Sequence, residues 1–61
     1  MTLQGLYDKL TPAQQVNVHV VNNGGMVVFD NGTKILVAYL DQNQNVIPAN
    51  WETGTALNAL G

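Results

Sequence analysis

The chain contains no cysteine, no arginine and no serine. Without cysteine no disulfide can stabilise the fold, so a domain of 61 residues depends on its core alone. Serine and cysteine are the commonest nucleophiles of covalent catalysis, and arginine is the residue that binds phosphate or carboxylate in a bidentate manner. These absences argue against an enzyme, and we expect no cofactor.

Charge is also scarce, because charged residues make up 10% of the chain and the net charge is −2. A surface that neutralises phosphates needs a cluster of basic residues, which two lysines cannot supply. No apolar run approaches the roughly 20 residues of a membrane-spanning helix, and no secretory signal pattern is visible. We therefore expect one small cytoplasmic domain over residues 1–61 that binds neither nucleic acid nor membrane.

Hydrophobic residues, in contrast, make up 46% of the chain, which is too many for a disordered protein. Thr2 is suited to cap a short helix, and Thr11–Gln14 has the pattern of a capping box around Pro12, which predicts a further single turn. The predicted helix ends at Leu10, and four of its residues have the spacing of one helical face: Leu3, Leu6, Tyr7 and Leu10.

From Val16 onward the apolar residues alternate, which predicts strands over residues 16–21, 26–29 and 34–40. Val46 and Ile47 predict a short fourth strand that Pro48 ends. Residues 55–60 predict one last helical turn in an otherwise irregular tail. The predicted fold class is α+β: a short N-terminal amphipathic helix packed on a three- to four-stranded antiparallel β-meander, with an irregular C-terminal tail.

Two turns determine the expected register of the sheet. We take Asn23-Gly24 and Asn31-Gly32 as the central residues of two-residue turns. Val28 in the second strand then lies opposite His19 in the first strand and opposite Ile35 in the third strand. The register sorts the strand residues into two faces. The first face is apolar and suits the helix: Val16, Val18, Val20, Val27, Phe29, Leu36, Ala38 and Leu40. The second face is also largely apolar: Asn17, His19, Val21, Met26, Val28, Ile35, Val37 and Tyr39.

A soluble monomer rarely leaves an apolar face of that size in water. Three covers are possible for the second face: the tail with Trp51, Leu57 and Leu60, a second copy of the chain, or a different protein. We favour the last two, because the tail is short. Trp51 is added to the candidate site as an anchor in the loop before the last turn. The predicted interface residues are Val21, Met26, Val28, Ile35, Val37, Tyr39, His19 and Trp51.

Other candidate sites have simpler interpretations. His19 is the only histidine, so one chain cannot build a multi-histidine zinc site, and no carboxylate is expected opposite its ring. Asp41, Asn43, Asn45 and Glu52 match the ligand spacing of an EF-hand calcium loop. Val46 occupies the position where that loop needs glycine, so an ordinary polar turn is favoured. We expect no metal site and no catalytic residue.

The function predicted from these residues is a non-catalytic protein-interaction module that forms a homo-oligomer through the second face and binds, and in one version inhibits, another protein. A short cysteine-free chain that begins at Met1 without a leader suggests an accessory factor of a bacterium or its phage. One alternative is a structural subunit of a larger assembly, such as a virion or shell. A second alternative is a small-ligand site where copies of His19 meet at a subunit interface.

Overall fold

A four-stranded antiparallel sheet with the strand order β1-β2-β3-β4 is the centre of the computed structural model, which describes residues 1–61. The helices and the meander confirm the predicted α+β class. No helix is both long and apolar enough to cross a membrane. The elements are α1 (Leu3–Lys9), α2 (Pro12–Gln15), β1 (His19–Val21), β2 (Met26–Asp30), β3 (Ile35–Leu40), β4 (Val46–Pro48) and α3 (Trp51–Leu60).

Side-chain caps begin the first two helices, as the sequence predicts. The hydroxyl of Thr2 accepts a hydrogen bond from the Gly5 amide at 3.0 Å, which caps α1. Thr11 and Gln14 form a complete capping box at α2, which is a single turn. The predicted amphipathic helix and the predicted extra turn are therefore both confirmed.

The C-terminal tail is more regular than expected, because it forms the ten-residue helix α3. Its helix starts at Trp51, four residues before the predicted turn, and Trp51 is not in a loop. The side chain of Asn50 accepts a hydrogen bond from the Thr53 amide at 2.9 Å and so caps the helix. The cap allows the helix to begin four residues before the predicted turn.

The first hairpin has the predicted register, with Val28 opposite His19 and Met26 opposite Val21. Strand β1 is shorter than predicted, since it begins at His19 and not at Val16. The reason is local: the amide of Val18 donates to the Gln15 carbonyl at 3.2 Å, so this segment continues the turn that follows α2.

The register predicted for the second hairpin is wrong by two residues. Phe29 lies opposite Leu36 and not opposite Lys34. The Asn31 amide donates to the Lys34 carbonyl at 3.2 Å, so Gly32 and Thr33 are the central turn residues. The side chain of Asn31 stabilises this arrangement by accepting from the Thr33 and Lys34 amides, both at 3.0 Å.

A shift of two residues returns every side chain to the same face of the sheet, so the predicted division into two faces holds for β2 and β3. Val16 and Val20, which were predicted for the apolar core face, are 76% and 44% exposed. Val16 ends α2 and lies outside the sheet, and Val20 lies in the edge strand β1. Val18 packs partly against the core. The buried core consists of Leu6, Leu10, Val27, Phe29, Leu36, Ala38, Leu40, Val46 and Leu57.

Candidate interaction surface

The side of the sheet that faces away from α1 and α3 is apolar and uncovered, and we call it the open face. It contains seven of the eight predicted interface residues. An additional member, Ile47, was not predicted for the site and lies on this face because it pairs with Tyr39 across β3 and β4. The open face consists of His19, Val21, Met26, Val28, Ile35, Val37, Tyr39 and Ile47, together with Asp30, which lies opposite Ile35 at its end and was also not predicted.

Exposure differs sharply between the two faces of the same strands. On the core face, Val27 and Phe29 are completely buried. On the open face, Ile35 is 61% exposed and Tyr39 is 49% exposed, while Val37 between them is half-buried. The open face carries no lysine and no arginine, and its one acid is Asp30, which pairs with Ile35 at the end of β2. The Asp30 carboxylate accepts a hydrogen bond from the Gly32 amide at 2.7 Å. The surface is therefore largely apolar, with a single negative charge at one end.

The C-terminal tail does not cover the open face within one chain, although the tail was one of the three expected covers. Leu57 is buried in the same core cluster as Leu6 and Phe29, and Leu60 packs against that cluster. The hydroxyl of Thr53 donates to the Val37 carbonyl at 3.0 Å, which ties α3 to β3. Helix α3 therefore shares the core side of the sheet with α1.

Trp51 belongs to a different part of the surface from the other predicted interface residues. Its side chain is 84% exposed at the start of α3. It lies about 200° around the helix from the buried Thr53, at 3.6 residues per turn, so it is directed away from the core. An ion pair of 2.9 Å between Lys34 and Glu52 joins the start of α3 to the second hairpin. Trp51 and Ile35, which flank this pair in sequence, are thereby brought to the same end of the sheet.

His19 lies on the open face opposite Val28, and it forms no ion pair. No group of three or more histidine, cysteine, aspartate or glutamate side chains is arranged to hold a metal ion. The structure thus brings His19 together with the apolar interface residues and not with a carboxylate that could orient its ring.

The two carboxylates of the calcium-loop spacing have separate partners. The Asp41 carboxylate accepts hydrogen bonds from the Asn43 amide at 2.8 Å and from the Asn45 amide at 2.9 Å. The Asn45 side chain donates to it as well, at 3.1 Å. These bonds, chiefly the one from the Asn45 backbone, hold the pKa of Asp41 below its usual value. Glu52 instead pairs with Lys34.

Two shallow grooves lie outside the open face. One, of about 310 Å³, lies between β4 and α3 and is lined by Val46, Pro48 and Leu57 among others. The other, of about 400 Å³, lies beside α1 and is lined by residues that include Tyr7 and Gln44. Neither groove includes His19, so the small-ligand alternative requires a site that forms between copies of the chain.

The fold and this surface define a small α+β domain with one sheet face covered by helices and the other open. No protein-family model matches the chain, and no match was found among curated proteins or among solved structures. The surface itself therefore supplies the functional argument.

Proposed function

We propose that this chain is a non-catalytic protein-interaction module that binds through its open face. One observation carries the proposal: β2 and β3 bury the residues of one face and present a largely apolar face on the other side. Apolar surface gains free energy when it leaves water, in proportion to the area buried. A continuous apolar patch on a small soluble domain is typical of a protein-binding surface.

A second copy of the chain is the first partner that this surface suits. Two open faces can meet antiparallel, which places the single acid of each, Asp30 at the end of β2, at opposite ends of the contact. Tyr39 and Ile35 protrude from the face and can fill the spaces beside the half-buried Val28 and Val37 of another copy. A different protein is the second partner, and the narrower prediction of an inhibitor from a bacterium or phage stays part of this proposal.

Solution mass measured by light scattering across a dilution series tests the proposal. Val37→Glu places a charge at the centre of the open face and should lower the average mass at every concentration where the wild type associates. Gln42→Glu is the matched control, because Gln42 is exposed in the loop after β3 and the same charge is added away from the open face. This control should behave as the wild type does.

Circular dichroism of the same variants separates loss of binding from loss of folding. Val37→Glu should retain the wild-type spectrum, since its side chain lies on the open face and not in the core. Unfolding of this variant, or an unchanged mass, would contradict the role of the open face. A wild type that is monomeric at all concentrations would remove the second copy as partner, and a direct search for a different bound protein would follow.

A structural subunit of a larger assembly is the second candidate function. The observation in its favour is that the sheet has an unpaired edge at β1 as well as an open face, so one chain offers two surfaces. Contacts that do not close produce assemblies that grow with concentration. A mass that rises without a plateau favours this candidate, and a plateau at a discrete mass favours the interaction module.

A further inference from the structure

The two edges of the sheet are protected to different degrees. At β4, the Val46 amide donates to the Met1 carbonyl at 2.6 Å, and Thr2 forms a bridge with Asn45. Pro48, the last residue of β4, has no amide hydrogen to offer. The N-terminal segment and a proline therefore cover the edge at β4, which is how natural sheets avoid unwanted pairing.

The hydrogen bonds of the second hairpin establish which backbone groups point outward at β1. The Asn31 amide donates to the Lys34 carbonyl, and the Leu40 amide donates to the Gly25 carbonyl at 3.1 Å. Odd-numbered residues of β2 thus direct their backbone groups toward β3. Bonded and non-bonded pairs alternate along an antiparallel ladder, so the even-numbered residues of β2 direct theirs toward β1.

Val20 is the residue of β1 whose backbone groups remain free. Val28 and Met26 form the hydrogen-bonded pairs with His19 and Val21, their partners in β1. The backbone N–H and C=O groups of His19 and Val21 therefore point toward β2. Val20 lies between them and directs its N–H and its C=O away from the sheet. Neither group has a partner in the turns and loops of the chain.

The side chains of β1 do not protect this edge. The strand contains no lysine, no proline and no bulge. Val20 is 44% exposed on the side where the helices lie, and Val21 is exposed on the open face. The core thus ends at β1 without a cover on either side, and only the shortness of this three-residue strand limits pairing there. Its unpaired backbone groups are a template on which another strand can continue the sheet.

We propose that β1 pairs with β1 of a second copy, antiparallel about a two-fold axis beside Val20. Each Val20 N–H donates to the carbonyl of the other copy's Val20, and the two sheets become one of eight strands. A two-fold axis uses the same patch on both chains, so one strand supplies both free groups that the contact needs. His19 then lies opposite the other copy's Val21, and no like charges face each other.

This edge contact is separate from binding through the open face, and it extends that face. The two open faces lie on the same side of the joined sheet and form one continuous apolar surface. Only the function assigned to that larger surface depends on the proposed function. With both contacts formed, two edge-paired dimers join face to face, and each contact can be removed while the other remains.

Val20→Pro tests the edge contact because it removes the outward N–H and leaves the bonds between β1 and β2 in place. Proline is tolerated at edge positions whose amide faces solvent. Val20→Thr is the matched control, since it keeps the N–H and the β-branched shape. The average mass of Val20→Pro should fall below that of the wild type at every associating concentration, and the mass of Val20→Thr should not. If the proline variant loses the wild-type circular dichroism spectrum, Val20→Lys serves instead, because pairing would place two lysines side by side.

The double variant Val20→Pro with Val37→Glu separates the two contacts. Each single variant should retain one contact, and the double variant should be a 6.6 kDa monomer. If Val20→Pro, or Val20→Lys in its place, has the wild-type mass at every concentration, the proposed edge contact is wrong. The contact through the open face is then tested by Val37→Glu alone. A monomeric wild type would overturn both self-contacts.

Hydrogen exchange gives a second, independent measurement of the edge contact. The Val20 amide should exchange slowly in concentrated wild type and rapidly after dilution to monomer. The Val46 amide, which already donates to Met1, should change little over the same range. Rapid exchange of Val20 at a concentration where the protein is associated would overturn the edge contact.

Discussion

Thr53 shows at the scale of one residue how polar groups are placed in this small core. It is a buried polar residue, 1% exposed, and its hydroxyl donates to the Val37 carbonyl at 3.0 Å. Val37 lies on β3 one residue beyond Ala38, the last residue that pairs with β4. The Val37 carbonyl therefore has no partner in β4, and the Thr53 hydroxyl takes that place. A buried carbonyl without such a donor is costly.

Thr53→Val should therefore lower the free energy of unfolding by about 1–3 kcal/mol, because it keeps the shape and removes the donor. Urea denaturation followed by circular dichroism measures the change. Thr55→Val is the matched control: its hydroxyl also donates to a carbonyl, that of Trp51, but at an exposed site. An equal loss in both variants would show that burial of the Val37 carbonyl does not matter.

The hydrogen bonds of Asp41 lead to a prediction about how the stability of the fold depends on pH. Its hydrogen bonds, first the one from the Asn45 backbone, lower the pKa of Asp41 in the folded state. Because the pKa is lower in the folded state, the ionised carboxylate stabilises the fold at pH values above its unfolded pKa of 3.8. This stabilisation is lost as the pH falls through the lower folded pKa. The wild type should exceed Asp41→Asn in urea midpoint near neutral pH, and the two midpoints should converge as the pH falls below 3.8 and through the lower folded pKa. A constant difference between them would contradict this interpretation of the loop.

At the scale of the elements, helix α1 was predictable and helix α3 was not. The four apolar residues of α1 occur at regular helical spacing, and its buried Leu6 lies on that face. In α3 only Thr53 and Leu57 are buried, and Gly54 lies within the helix, so its apolar pattern is weak. Its cap, Asn50, lies between Ala49 and Trp51 and resembles an ordinary loop residue. Sequence periodicity detects a helix by the face it buries, and α3 buries little.

The second hairpin shows why faces are easier to predict than partners. Asn31-Gly32 favours a two-residue turn at those positions, but the Asn31 side chain bonds to the Thr33 and Lys34 amides and moves the turn centre by one residue. Moving the centre by one changes each partner by two, which preserves the faces. Ile47 was missed for a different reason: the loop before β4 contains no turn signal that specifies which residue of β3 lies opposite it.

At the scale of the whole molecule, the two largely apolar faces of the sheet were predictable from the sequence, but what covers each face was not. Helices α1 and α3 both pack on the side of the sheet that contains Phe29 and Val27. This outcome depends on the connection from β4, in which Ala49 alone separates Pro48 from the cap at Asn50. A linear pattern contains no information on which side that connection takes, so the open face becomes visible only in the assembled fold.

Association should also contribute to the stability of this chain. A domain of this length has a net stability of roughly 3–9 kcal/mol, and a partner that binds only the folded state adds to it. The melting temperature of the wild type should therefore rise with protein concentration. Val20→Pro with Val37→Glu should melt at the same temperature at every concentration, whereas Gln42→Glu should follow the wild type. A wild-type melting temperature that does not depend on concentration, in a range where light scattering shows association, would mean that the associated surfaces remain in contact after unfolding. Association would then not require the folded sheet, and the role of the open face and of the β1 edge as folded interfaces would be contradicted.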